Sequence, residues 1–306
     1  MALQDRPLSG DSIAINRRYL DHLLVESRIV GAVRPVCDIT LFGHRFKTPI
    51  TTGALSHLKS GMQAFAQGAK AADAACFVGM GDCEELKSVL STRAKVIKII
   101  KPYADPEEIF SRIRCAEEYG AIAVGMDVEH AVNVRDDRDS LVAGCPMKLP
   151  TLEELKTYIK STKLPFVIKG ALSAKDALTC ARLGCAGVIL SHHNGLMRWA
   201  TPPGMLLKDI RAAVGDALTV VADGGIQDGF DAFKLLALGA DAVSIGRPLM
   251  APLEEGGPAA MAETIAAFTD ELKAMMLRTG TPDLMHFRAE IAPLFSSYDC
   301  RKTADL

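Results

Sequence analysis

The chain has 306 residues, 49% of them hydrophobic, enough to bury the core of one large α/β domain. Its 35 basic and 37 acidic side chains are interspersed and sum to a formal charge of -2, which excludes the concentrated positive field of a nucleic-acid or anionic-membrane binder. Apolar runs fall short of a membrane span and no secretory leader pattern opens the chain, so a cytoplasmic protein that does not cross a membrane is expected.

The eight Cys form no Cys-x-x-Cys pair and no metal-like spacing with His. Free thiols are therefore expected, with neither a disulfide framework nor a metal site. Residues 1–45 read as an N-terminal extension with a helix over about 13–27. Residues 46–306 read as the rest of a single domain, in which apolar runs alternate with amphipathic segments. Strands are predicted at 47–53, 74–79, 96–100, 121–127, 166–169, 187–191, 218–222 and 242–245. Helices are predicted near 60–73, 83–91, 106–118, 151–162, 173–184, 204–214, 228–239 and 258–278. Val, Ile and Ala fill the strands without polar alternation, as they do where both faces of a parallel strand are buried. Eight such units close a (β/α)8 TIM barrel, whose active site lies at the carboxyl ends of its strands. The polar loop over 128–149, with Arg135, Asp136, Asp137 and Arg138, is a lid candidate or a solvated surface loop.

Five strand ends carry chemistry. Lys169 ends an apolar strand, either snorkelling to solvent or meeting an electron-rich ligand atom. His193 lies in Ser191-His192-His193-Asn194-Gly195, and a His there can take a proton near neutral pH or simply bond within its loop. Asp223-Gly224-Gly225 lets the backbone approach an anion, and Gly246-Arg247 adds a guanidinium one strand later. Those two loops are where many barrels hold a phosphate. Asp127 ends the fourth strand, where it can orient a His or cap the next turn.

The order and spacing of these strand ends resemble the FMN-dependent 2-hydroxy acid dehydrogenase/oxidase family. The likeness spans nearly all of the chain after about residue 28 and is closest over 164–170, 185–195 and 223–248. It implies an oxidoreductase that uses FMN to oxidise the CH–OH group of a small-molecule 2-hydroxy acid or related substrate, in a homo-oligomer. By the same resemblance His193 is the base, Asp127 orients it, and Lys169 faces the N1 and C2 carbonyl region of the flavin. Ala54 to Ser56 and Gly79 edge the ring, and Asp223, Gly224, Gly225, Gly246 and Arg247 line the cofactor site. Lys98-Ile99-Ile100 stands where the family has Gln-Leu-Tyr, which puts Lys98 on the flavin and loses a substrate Tyr. Leu196 stands where the family has an Arg that grips the substrate carboxylate, leaving Arg198 or Arg135 to stand in. Gln227 stands near an expected Arg, and His57 is a weaker candidate for reaching the site. Two other readings remain: a non-redox FMN enzyme similar to type 2 isopentenyl diphosphate isomerase, and a catalytically silent flavin- or phosphate-binding barrel.

Overall fold

The structure is a computed structural model that describes residues 10–193 and 195–287. The outer parts of both segments read from the sequence, 1–9 and 288–306, and Asn194 lie outside the described residues. Helix α1 (Ser12–His22) starts at Asp11, whose carboxylate accepts the Ile13 and Ala14 N–H groups. It ends earlier than predicted, and the chain then forms a hairpin of β1 (Ile39–Leu41) and β2 (His44–Phe46). Strands of three residues are too short to show a period in sequence.

The eight expected barrel strands are all present. They are β3 (Ile50–Thr52), β4 (Cys76–Val78), β5 (Val96–Ile100), β6 (Ala123–Asp127), β9 (Phe166–Lys169), β10 (Gly187–Leu190), β11 (Thr219–Asp223) and β12 (Ala242–Ile245). Their order in the parallel sheet is β3-β12-β11-β10-β9-β6-β5-β4. The Thr52 N–H donates to the Ala75 carbonyl at 3.1 Å and joins the two ends of the sheet. Around it lie α2 (Met62–Ala71), α3 (Cys83–Ser91), α4 (Pro106–Glu118), α5 (Leu152–Lys160), α6 (Ala174–Leu183), α7 (Pro203–Val214), α8 (Gly229–Ala237) and α9 (Arg247–Arg278). Helix α9 starts before the predicted 258 and breaks at Gly257, whose φ of 67° is not helical, directly before Pro258. The loop after β6 holds a 3-10 turn (Val128–Ala131) and a second hairpin, β7 (Leu141–Val142) with β8 (Cys145–Pro146).

Side chains alternate across each strand, so parity decides what a residue faces. One apolar cluster holds Phe77, Ile97, Ile99, Ala123, Val167, Ile189, Val221 and Ala242, closed below by Leu41 and Phe46 of the hairpin: this is the barrel interior. The alternate residues, among them Val96, Ile100, Val124, Met126 and Ile168, pack in the layer between sheet and helices.

One expectation is overturned. Cys83, at the start of α3, and Cys115, in α4, form a disulfide, whereas Cys37, Cys76, Cys145, Cys180 and Cys185 are free. The bonded pair is 32 residues apart and meets because α3 and α4 pack side by side, a proximity that no Cys spacing announces.

Candidate functional site

Register brings the first charges together. Ile99 pairs with Gly125 and Ile100 with Met126, so Lys101, one residue past β5, falls beside Asp127, which itself pairs with Lys169. All three point into the barrel mouth. Asp127 Oδ2 accepts from Lys101 Nζ at 2.8 Å and from Lys169 Nζ at 3.2 Å. Burial alone would raise the Asp127 carboxyl, but Lys169, His193 and Lys101 outweigh it and hold the group well below the usual carboxylate range. Burial also lowers Lys101, against the pull of Asp127.

His193 joins this group from the loop after β10. Its Nδ1 lies 3.1 Å from Asp127 Oδ2 and 2.9 Å from Lys169 Nζ. Burial pushes its pKa down, only partly offset by Asp127, so the imidazole is neutral at neutral pH. A proton on Nδ1 donated to Asp127 leaves Nε2 bare, the form a base requires. The His130 ring packs against His193 with centroids 3.9 Å apart, and burial drives His130 down to about 3. Glu129, beside it, is raised to about 7, first by burial and then by Asp127 and Asp223. Asp127, His130 and His193 offer ligand atoms within 4.8 Å of one another, but the two ammonium groups on Asp127 already supply the positive charge a metal would bring.

The loop's shape rests on its neighbours. Ser191 Oγ donates to Asp223 Oδ2 at 2.7 Å and accepts the His193 N–H at 3.1 Å, while Ser244 Oγ donates to Asp223 Oδ1 at 3.2 Å. His192 turns away from the charged cluster and is 2% exposed, its Nδ1 accepting the Gly195 N–H. Ser12 of α1 donates to the Met197 carbonyl and accepts the Ala200 N–H, which ties the far side of the loop to the N-terminal helix.

Lys169 and His193 also line a cavity of about 200 Å³ with Ala54, Asp223, Gly224, Gly225, Gly246 and Arg247. Gly224 and Gly225 have φ of 104° and 73°, a region open to Gly at little cost. A Cβ on Gly225 would lie 2.4 Å from Asn16 Nδ2, so this turn accepts no other residue without rearrangement. Asn16 donates to the Gly224 carbonyl at 2.9 Å and Arg17 to the Gly225 carbonyl at 2.8 Å. Arg17 in turn grips both oxygens of Asp231 at 2.5 and 2.8 Å. Facing the turn, α9 begins at Gly246 and, like α2 and α7, has no side-chain cap, whereas α3, α4, α5, α6 and α8 are capped by a side chain. Uncapped N–H groups, the positive end of a helix and Arg247 together suit a phosphate. A larger cavity of about 460 Å³, lined by Ile39, Leu41, Arg211 and Asp241, opens at the opposite end of the barrel, away from these groups.

Other sequence candidates fall elsewhere. Lys98 is corrected: it faces the helical layer, not the interior, and donates to the Gly79 and Gly81 carbonyls at 2.6 and 3.3 Å. Burial takes it down to about 8. The interior positions of this segment are Ile99 and Lys101, one residue later than the family resemblance implies. Ser56 accepts the Met80 N–H at 2.6 Å, and a Cβ on Gly79 would lie 2.4 Å from its Oγ, so the two loops interlock at the cavity edge. Arg135, Arg198 and His57 are exposed and line neither cavity. Gln227 donates its backbone N–H to Asp231. Lys101, Glu129, His130, Asn16 and Arg17 were missed; only strand parity, counted back from Asp127 and Lys169, could have revealed Lys101.

Fold and site together define a (β/α)8 barrel with a His–Asp–Lys centre at its mouth, beside a glycine-lined cavity whose groups suit a phosphate. Residues 140–292, half of the chain, match the family described as FMN-dependent dehydrogenase, and the chain belongs to that family. It is 36% identical over 161 residues to an L-lactate oxidase of Roseobacter sp. (strain GAI101), covering 50% of this chain and 44% of the relative. To the L-lactate oxidase of Streptococcus iniae it is 26% identical over 330 residues, covering 94% and 81%. The chain thus spans less than half the length of the first of these relatives and most of the second. Among solved structures, a mandelate oxidase mutant with a monooxide FMN adduct superposes with a TM-score of 0.82 at 26% identity, covering 92% of this chain and 90% of that one. The double-glycine turn, the uncapped start of α9 and Arg247 fit the single phosphate of FMN.

Proposed function

We propose that the protein is an FMN-dependent oxidoreductase that oxidises the CH–OH group of a 2-hydroxy acid or a closely related substrate. The observation that carries this reading is His193 set between the cavity and Asp127, with its Nδ1 on the carboxylate at 3.1 Å. Gly224, Gly225, Gly246 and Arg247 would hold the phosphate, and Lys169 would stand against the electron-rich edge of the ring. Bound FMN would supply the two-electron acceptor. His193 takes the substrate proton at Nε2, and Asp127 holds the Nδ1–H tautomer and stabilises the imidazolium that forms. His130, neutral at working pH, keeps bulk water from one face of His193 without adding a competing charge.

A non-redox role or a silent barrel would not need a neutral imidazole paired to a buried carboxylate beside the cavity. Anaerobic titration of FMN-reconstituted protein with a panel of 2-hydroxy acids is the test: bleaching of the oxidised flavin spectrum is expected, and none with any member would remove the reading. Cytoplasmic residence and homo-oligomeric assembly belong to the same proposal. The Cys83–Cys115 bond stands against a reducing compartment, so thiol counting on freshly isolated protein and sedimentation decide those two points.

A further inference from the structure

Around Asp127 two buried cations face a single carboxylate, while the other acid of the site, Asp223, is bonded to Ser191 and Ser244. Lys101 and Lys169 are both buried, at 6% and 4% exposure, and both rest on one oxygen of one carboxylate. An ammonium has three N–H donors. Among the described residues Lys101 spends one, on Asp127 Oδ2. A buried cation with unspent donors is costly unless an anion completes its shell. The acid next along the chain, Glu129, is raised to about 7 and so is substantially protonated near neutrality. The arginines that could have served, Arg135 and Arg198, lie at the surface, and the position three residues after His193 is Leu196.

We infer that Lys101 is the anchor for the anionic end of the substrate, its carboxylate, in this chain. This rests on the reading of the site as one that oxidises a 2-hydroxy acid. The geometry suits it: Lys101 Nζ and His193 Nδ1 meet at the same Asp127 oxygen, at 2.8 and 3.1 Å, so the anchor stands beside the imidazole ring whose far nitrogen, Nε2, is the base. In a 2-hydroxy acid the carboxylate and the carbon that loses its hydrogen are joined by a single bond, so the groups serving them must be neighbours too. Lys101 sits on the β5–β6 side of His193, whereas the glycine-lined cavity lies on the other, which leaves that cavity to the cofactor.

The test uses FMN-loaded full-length protein titrated with oxalate, a planar dianion that cannot be oxidised at a C–H bond, read by perturbation of the flavin spectrum and by calorimetry. Lys101→Met is expected to weaken oxalate about ten- to a hundredfold, the range of a charge-assisted contact, and Lys101→Arg to recover most of it. Should Lys101→Met fail to fold, the wild type decides: glycolate is expected to bind at least tenfold more tightly than glycolamide. Unchanged oxalate affinity in Lys101→Met, equal binding of glycolate and glycolamide, or a loss confined to Arg198→Ala would overturn the assignment. Lys101-dependent oxalate binding with no flavin bleaching by any 2-hydroxy acid would leave the anchor standing and remove the proposed activity. Bleaching that persists in Lys101→Met at unchanged KM would do the reverse.

Discussion

His193 Nδ1 lies 3.1 Å from Asp127 Oδ2, an oxygen already shared by two lysines. The arrangement holds the carboxylate ionised and the imidazole neutral, which is the resting state a base needs. His193→Ala is therefore expected to retain FMN and slow flavin reduction by substrate about 10²–10⁴-fold. His192→Ala is expected to do much less, because its ring is buried away from that cluster. Asp127→Asn should impair the same step by removing the counter-charge to the imidazolium. Rapid-mixing reduction reads all three, and a larger loss in His192→Ala would reassign the base.

Arg247→Ala should weaken FMN about ten- to a hundredfold with the fold intact, the range of a charge-assisted phosphate contact. Fluorescence titration of FMN into apo-protein checks it. Wild-type affinity in the variant would place the phosphate elsewhere.

Arg17 reaches the same loop from the other end of the chain. Removing it leaves Asp231, 2% exposed, without its bidentate partner and the Gly225 carbonyl without a donor. Arg17→Ala is expected to cost roughly 1.5–3 kcal/mol of stability in denaturant titration and to weaken FMN in parallel. A stability loss with unchanged FMN affinity would show that the turn keeps its shape without the clamp.

Lys169→Met should lower the reduction potential of the bound flavin, since a cation beside the ring favours its anionic reduced form. Potentiometry of the holo-protein is the measurement. An unchanged or higher potential means that Lys169 serves Asp127 and His193 alone.

Glu129 predicts a pH dependence of stability. Its carboxyl is raised from 4.5 to about 7 in the folded chain, so the fold binds this proton more tightly than the unfolded chain does. That contribution is fully present below pH 4.5 and is lost as pH rises through about 7. Relative to Glu129→Gln, the wild type should lose roughly 1–3 kcal/mol across that window. Parallel curves for the two proteins would mean that Glu129 titrates normally.

The strands were legible from sequence because a strand buried on both faces is dominated by apolar residues: β6, β9, β10 and β11 are apolar between their ends, and β5 and β12 are broken only by Lys98 and Ser244. The residues past their ends were legible for the same reason: a Lys, a His or an Asp-Gly-Gly closing an apolar run stands out. What sequence could not supply was direction and distance. Lys98 and Lys101 differ by three positions, an odd number, so one faces the helices and the other the barrel mouth, and only the pairing of β5 with β6 says which. The clamp of Asn16 and Arg17 on Gly224 and Gly225 spans 208 residues of chain, and the Cys83–Cys115 bond spans 32. Local pattern determines which segments become strands and helices. Which charges share an oxygen atom is decided when those strands close into a barrel.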